Sequence, residues 1–500
     1  MIKTIVDLLE KTTENYKHKI AFSELSNEIT YGDFVIESKK VASAIAKFDL
    51  NKKPIAIFLD KSIECIYSMI GTVYSGNFYT IIDTKMPQDR INNIMDVLEP
   101  EIIITNSKYN EKVKAFANDK KILIVEDVKN VGIDENKLKE IRENIVDTDI
   151  MYILFTSGST GIPKGTVLTH KSVLSYIMWY IETFDINEKT IFGSQTPLYF
   201  SMSVSDLFST MIKGATFCII PKMYFSFPIK LLEYLNEKRI NTIYWVPSAL
   251  CIVANLKALD EVELPYIEKV LFAGEVMPMK QLNIWREHLK KTMFANLFGP
   301  TETVDICTYY VVDRKFKNDE MLPIGKACDN CGILLITDEN KEAKEGEEGE
   351  ICARGSFLAQ GYYKNLDKTN QVFVQNPLND AYKETIYKTG DLAKYNEYGE
   401  LVYISRKDFQ IKHMGYRIEL GEIENAVNAV ENITTCACVY DEKKQNIVLF
   451  YVGNVDNNTV LEGVKKKVPV YMVPNRIIKL DKMQYNANGK IDRKYLKTLV

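Results

Sequence analysis

Five hundred residues exceed what one hydrophobic core organises, so the length predicts at least two domains. With 46% hydrophobic and 26% charged residues the composition is that of a globular chain, and 63 Lys and Arg against 67 Asp and Glu leave a formal net charge of −4. That balance provides no broad basic surface for nucleic acid or anionic lipid, and points to a small-molecule or protein partner.

The first residues, MIKTIVDLLEKTTENYKHK, space Ile2, Ile5, Leu8 and Leu9 along one helical face and are soon broken by charges, unlike a signal peptide. No apolar run approaches the ~20 residues that cross a bilayer, so a cytoplasmic location without membrane contact is expected. Short β-branched runs then alternate with helical periodicity: PIAIFLD (54–60), EIIITN (101–106), KILIVED (121–127), ATFCIIP (215–221), NTIYWVPS (241–248) and KVLFAGE (269–275). The alternation predicts an α/β fold with layered, mostly parallel β-sheets covered by helices, and ligands at the carboxyl ends of the strands.

After about residue 320, GILLITDEN, GEICARG and ELVYISRKD read as strands joined by charged turns such as KEGEEGE, a small antiparallel β subdomain. A final segment of about ninety residues follows Arg406, Lys407 and Asp408 and reads as a small α+β domain. One amphipathic helix (GEIENAVNAV), two strands and a polar tail ending NGKIDRKYLKTLV are expected there. The nine cysteines lack a disulfide-framework spacing and read as reduced thiols. Cys328 and Cys331 form a lone CxxC without a second pair or a nearby histidine, which disfavours zinc or redox chemistry; Cys436 and Cys438 read as small buried hydrophobes.

The most informative stretch is TSGSTGIPKG (156–165), which follows the apolar strand 151–155. Gly158, Gly161 and Gly165 allow tight turns with N–H groups aimed at an anion. Thr156, Ser157, Ser159 and Thr160 add hydroxyls, and Lys164 adds a positive charge. This chemistry suits a polyphosphate. The order Lys164, Gly165, Thr166 departs from the Walker spacing and disfavours a P-loop kinase or motor. A flexible Gly/Ser linker is disfavoured too, because linkers rarely follow a buried strand and carry one fixed lysine.

TSGSTGIPKG resembles the signature loop of the adenylate-forming superfamily of acyl-CoA synthetases, beetle luciferases and nonribosomal peptide adenylation domains. Further motifs follow in that superfamily's order: FGPTET (298–303), GEICARGSFLAQGYY (349–363), YKTGDLA (387–393), SRKDFQIKHMGYRIELGEIE (405–424) and NGKIDRK (488–494). LFAGEVMP (271–278), IELGEIE and NGKIDRK are most similar to stand-alone amino-acid adenylation enzymes, D-alanine–carrier protein ligases above all.

The resemblance implies a core, 1–407, that binds ATP and acid, and a mobile C-terminal lid domain, 408–500, that carries Lys490. It implies that ATP and a carboxylate give an acyl-adenylate and pyrophosphate, and that a thiol then displaces AMP. Both steps develop charge that cations and N–H groups stabilise.

By the same resemblance Thr156, Ser157, Gly158, Ser159, Thr160 and Lys164 hold the β- and γ-phosphates, Thr301 meets the α-phosphate, and Glu302 holds Mg²⁺. Taken alone, a glutamate two residues past proline could merely cap a helix, a reading the surrounding motif set disfavours. Phe298 packs on adenine, Gly274 lies with the nucleotide set, Asp391 takes the ribose hydroxyls, and Arg406 assists at ribose or phosphate. Lys490, otherwise a solvated lysine, bridges the substrate carboxylate and the α-phosphate. Asp408 matches the hinge of the rotating lid, and Lys412 and Gly415 match a pantetheine tunnel. His170 reads as structural at a helix start, since a carboxylate already ionised at neutral pH needs no general base. His413 lies in the rotating segment, with a second-step role and a surface role both open.

The implied acid pocket comprises Ser201, Met202, Ser205, Tyr244, Ala273, Leu297, Asp305 and Ile306. Relatives that take α-amino acids carry aspartate in a Phe-Asp-x-Ser motif to pair the substrate's ammonium; this chain has Ser201 there, and a hydroxyl cannot neutralise a buried ammonium. Asp206 gives no clear rescue. Asp305 occupies a place that is usually small or apolar. Three readings remain open: an acid with its amine displaced from the α-carbon, such as a β-amino acid, paired with Asp305; a hydroxy-aryl acid bonded to Asp305 or Tyr244; or an Asp305 that faces a backbone N–H or a basic neighbour and never meets substrate.

The leading expectation is an acid–thiol ligase that loads a separate phosphopantetheinylated carrier protein. An acyl- or aryl-CoA synthetase and a catalytically silent binding homologue are the alternatives. No carrier or condensation domain is evident in the sequence, so the thiol is expected from another molecule.

Overall fold

Thr4 accepts the amide of Asp7, and Asp7 accepts the amide of Thr4 in return; this capping box starts the first helix at Ile5–Tyr16. Ile2 therefore lies outside the helix and is exposed, while Ile5, Val6 and Leu9 form the buried face. The computed structural model describes residues 2–157, 163–485 and 491–500. The chain divides into two compact units: the larger takes residues up to Asp83, Pro100–Leu154 and Thr166–Lys407, and the smaller takes Thr84–Glu99, Phe155–Gly165 and Asp408–Val500.

Two large sheets form, and each β-branched run quoted above supplies a strand to one of them. A six-stranded sheet has the order Lys121–Ile124, Ile102–Thr105, Pro54–Ile57, Phe78–Ile81, Ile150–Thr156, Lys164–Thr169, and its first five strands are parallel. A nine-stranded sheet contains six parallel strands in the order Met293–Phe298, Lys269–Ala273, Thr242–Trp245, Ile191–Ser194, Thr216–Ile219, Ile20–Ser23. Antiparallel strands close both of its edges: Thr308–Val311 with Lys326–Ala327, and Glu28–Thr30. The parallel strands are buried nearly throughout, as sheets with both faces covered must be. Helix Ile63–Tyr74 is likewise apolar on almost every side and sits inside the core.

A five-stranded antiparallel sheet follows, built from Cys331–Ile336, Gly349–Gly355, Thr385–Tyr395, Phe373–Gln375 and Leu401–Arg406. All nine cysteines are free thiols; Cys328 and Cys331 are both buried.

The smaller unit holds more regular structure than one helix and two strands. Strands Gln410–His413 and Tyr416–Glu419 form a hairpin whose two-residue turn, Met414 and Gly415, has φ of 53° and 80°. Helix Leu420–Asn428 packs on a sheet of Ile433–Asp441, Asn446–Gly453 and Arg476–Lys479. Helices Asn457–Lys467 and Arg493–Lys497 complete it, so the polar tail is partly helical, with Leu496 buried. Asn457–Lys467 escapes sequence reading because only Val460 and Val464 mark its buried face. Arg90 and Glu422 form a buried ion pair in this unit. Among the described residues no helix is long and apolar enough to cross a membrane.

Candidate active site

Tyr244, Ala273 and Leu297 come from the carboxyl halves of three adjacent parallel strands, where α/β sheets bind ligands. The chain beyond Leu297 then makes an unusual turn. Asp305 N donates to Thr303 O at 2.8 Å across Val304, whose φ of 68° and ψ of −60° are rare for a β-branched residue. Such backbone costs about 1–3 kcal/mol and persists where its surroundings over-determine it. Gly299 makes room for the turn: a Cβ there would lie 2.4 Å from Asp305 O and 2.5 Å from Ile306 Cα.

The turn delivers the Asp305 carboxylate, 2% exposed, into a cage of hydroxyls. Oδ2 accepts Tyr244 OH at 2.9 Å and lies 3.2 Å from both Tyr176 OH and Ser205 Oγ, while Oδ1 accepts Ser201 Oγ at 3.1 Å. Tyr176 and Ser205 are themselves 2.7 Å apart. Two protons serve those three contacts, so this pair keeps one hydrogen bond for itself and gives one to Asp305. Burial pushes the Asp305 carboxyl up to about 6, against the downward pull of Tyr244, Ser201, Tyr176 and Ser205. Its partners are not the backbone N–H or basic neighbour of the third reading: four hydroxyls surround Asp305, and among the described residues no ion pair reaches it.

Two elements supply the cage beyond the strands. Helix His170–Thr183, started by a Thr169–Ser172 capping box, carries Tyr176. Helix Ser203–Lys213 carries Ser205 and Asp206. Asp206 accepts Tyr180 OH at 3.3 Å, and burial drives its carboxyl well up while Lys61 opposes. Lys61 Nζ bonds Ser194 O, Ser194 Oγ and Thr196 O at 3.1, 2.8 and 2.9 Å; burial brings it down to about 7, with Asp206 pulling the other way. Met202, Ala273, Leu297 and Ile306 are buried in the same continuous core.

Gly274, Phe298, Thr301, Glu302, Asp391 and Arg406, matched to the adenine, ribose, α-phosphate and metal, lie in the same unit. Phe298 ends strand Met293–Phe298 with its ring 5.9 Å from Tyr403. Thr301 and Glu302 open a 3₁₀ turn; the buried Glu302 accepts Tyr362 OH at 2.6 Å through Oε1 and Ala359 N at 2.9 Å through its backbone oxygen. Gly274 has φ of 92°. Asp391 and Arg406 face each other across adjacent strands. Arg406 Nη1 lies 2.9 Å from Asp391 Oδ1, a charge contact whose geometry leaves that buried oxygen without an aligned hydrogen bond. Arg406 Nη2 also donates to Thr389 O at 3.1 Å.

The described residues matched to the β- and γ-phosphates, the hinge and the tunnel fall in the smaller unit. Thr156 ends its strand, Ser157 Oγ donates to Arg417 O at 2.7 Å, and Lys164 Nζ lies 3.6 Å from Glu419 Oε1. Asp408 is exposed and accepts Gln410 N. Lys412 faces Arg417 in the hairpin register. Gly158, Ser159, Thr160 and Lys490 lie outside the described residues. His170 is the first residue of its helix and is buried, and burial brings its imidazole down to about 4, so it is neutral at pH 7. His413 is buried against Tyr440, so a surface role does not hold in this structure. Sequence reading missed Tyr176, Lys61 and Tyr362. No spacing marks the first two, and Tyr362 is a motif tyrosine without an obvious polar duty.

The fold defines a class of protein, the AMP-binding enzymes. Residues 9–363 match the AMP-binding enzyme family and residues 422–490 its C-terminal domain, and the chain belongs to that family. Tyrocidine synthase 1 of Brevibacillus parabrevis is 28% identical over 99% of this chain, which spans 45% of that protein. The D-alanine–D-alanyl carrier protein ligase of Lacticaseibacillus casei (strain BL23) is 28% identical, with 99% of each chain covered. The Vibrio cholerae adenylation domain AlmE, solved with glycyl-adenosine-5'-phosphate, superposes with a TM-score of 0.86 at 20% identity, covering 100% of this chain and 98% of that one.

Proposed function

We propose that this enzyme activates a carboxylic acid other than an ordinary α-amino acid and passes it to the phosphopantetheine thiol of a separate carrier protein. In the first step a carboxylate oxygen bonds the α-phosphorus of ATP as the bond to pyrophosphate breaks. In the second, the thiol sulfur bonds the acyl carbon, the bond to AMP breaks and the thiol proton is lost. The observation that carries the reading is the buried Asp391 oxygen beside Arg406, an acceptor suited to a ribose hydroxyl.

Thr156, Ser157, Gly158, Ser159, Thr160 and Lys164 are assigned to the departing phosphates, and Lys490 to the meeting of carboxylate and α-phosphate. Glu302 suits Mg²⁺, which takes one or two carboxylates and completes its shell from phosphates and water. Bound there, the ion would neutralise phosphate charge; Tyr362 fixes the carboxylate that would hold it. Residues 1–407 act as the core and 408–500 as the lid, with Asp408 as hinge.

Ser201 in place of an aspartate disfavours α-amino acids. Asp305 supports an acid whose polar group reaches it, a displaced amine or an aryl hydroxyl. ATP–pyrophosphate exchange across α-amino, β-amino and aryl acids tests this. Weak exchange with D-alanine and common L-amino acids is expected, and strong exchange with D-alanine would contradict it. Mass spectrometry with holo-carrier protein and with CoA separates the two acceptors, and the carrier thioester is expected.

A further inference from the structure

Buried charge in the larger unit is unevenly answered. Lys61 stands near Asp206, and each opposes the other's burial shift. Among the described residues Asp305 has no such partner; its bonds there all come from neutral hydroxyls. Hydroxyls ease ionisation of a buried carboxylate but leave its charge in place, and an uncompensated buried charge costs several kcal/mol by order of magnitude.

The cage is also lopsided. Oδ2 is served by Tyr244 and the Tyr176–Ser205 pair, which fill both of its lone-pair directions. Oδ1 holds Ser201 alone, which leaves one acceptor direction open. Ser201 is the one partly exposed member; Tyr176, Ser205, Tyr244 and Asp305 are buried. A ligand therefore approaches Asp305 past Ser201. A phenol arriving there adds one more neutral donor to a carboxylate that already has three. An ammonium adds the missing positive charge, and its remaining N–H groups have Ser201 Oγ as an acceptor.

We propose that Asp305 Oδ1 and Ser201 Oγ together receive the ammonium of an amine-bearing carboxylic acid, so that a cationic amine rather than a phenol selects the substrate. The proposal rests on the adenylation reading above. By the resemblance, α-amino-acid-activating relatives carry their pairing aspartate where this chain has Ser201; with the carboxylate at 305 instead, the amine is expected off the α-carbon.

The test is pyrophosphate exchange with matched acids, 3-aminobutanoate against 3-hydroxybutanoate and 3-(aminomethyl)benzoate against 3-hydroxybenzoate, in the wild type and in Asp305→Asn. The amine-bearing member should win by about a hundredfold or more in kcat/KM, and Asp305→Asn should erase that margin while moving the hydroxy acids by only a few-fold. A substrate-independent readout accompanies it: butylammonium should raise the Tm of the wild type but not of Asp305→Asn, and butanol should do neither. Exchange favouring the hydroxy acids, or a margin unchanged in the variant, overturns the proposal and leaves adenylation standing. No exchange with any acid sinks the adenylation reading instead, and butylammonium protection that survives in Asp305→Asn then overturns the Asp305 assignment independently.

Discussion

The nucleotide-side residues and the acid pocket hold their buried acids by opposite means. Among the described residues, Asp391 lies against a guanidinium and keeps one oxygen without an aligned hydrogen bond, whereas Asp305 has hydroxyls alone and keeps one open lone-pair direction. The first arrangement suits a neutral hydroxyl ligand, because charge is already balanced. The second suits a cation, because it is not. On the proposed assignment, recognition common to every reaction of the enzyme and recognition peculiar to one acid would be built from different chemistry.

The largest expected effect separates the two regions. Asp391→Ala should lower exchange with every acid by about 10²–10³, the cost of losing a charge-assisted bond to the nucleotide, with the ranking of acids unchanged. Exchange kinetics on the matched acids check this. A variant that re-ranks acids would erase the distinction between the regions.

Stability against pH sharpens it. The folded-state Asp305 pKa of about 6 lies above its ordinary value, so between pH 4 and 6 the native state keeps a proton that the unfolded chain has released, and stability falls as pH rises through that window. Asp305→Asn removes the penalty and should stabilise the protein by about 3 kcal/mol at pH 8 but not at pH 4, read from urea unfolding at the two pH values. His170 runs the other way. Its folded-state pKa of about 4 is depressed, so its burden appears as pH falls from 6.5 to 4, and His170→Asn should flatten the acid limb by about 3 kcal/mol without touching exchange at pH 8.

Gly299→Ala should cost about 1–3 kcal/mol by crowding the Asp305 turn, with selectivity among acids falling more than activity towards the preferred one; thermal unfolding and exchange check the two parts. The smallest effect is expected of Tyr176→Phe. Ser205 can still donate to Asp305, so the margin for amines should change only a few-fold.

How far the sequence foretold this follows from how each part is encoded. The parallel strands were legible because runs such as PIAI and IIIT are apolar along their whole length, and Glu302 and Asp391 could be nominated because each sits in a contiguous motif. The cage was not. Tyr176 and Ser205 lie 129 and 100 residues from Asp305, and only the packing of two helices on the strand ends brings them together. A helix with two buried valines, Asn457–Lys467, left too faint a periodicity to read.

The central claim is that the position of one carboxylate decides which acid is adenylated, and moving that carboxylate tests it most directly. In Ser201→Asp combined with Asp305→Ser, exchange with 3-aminobutanoate should collapse while exchange with an α-amino acid such as 2-aminobutanoate rises above the wild-type level. An unchanged order of preference in a folded double variant would contradict the account.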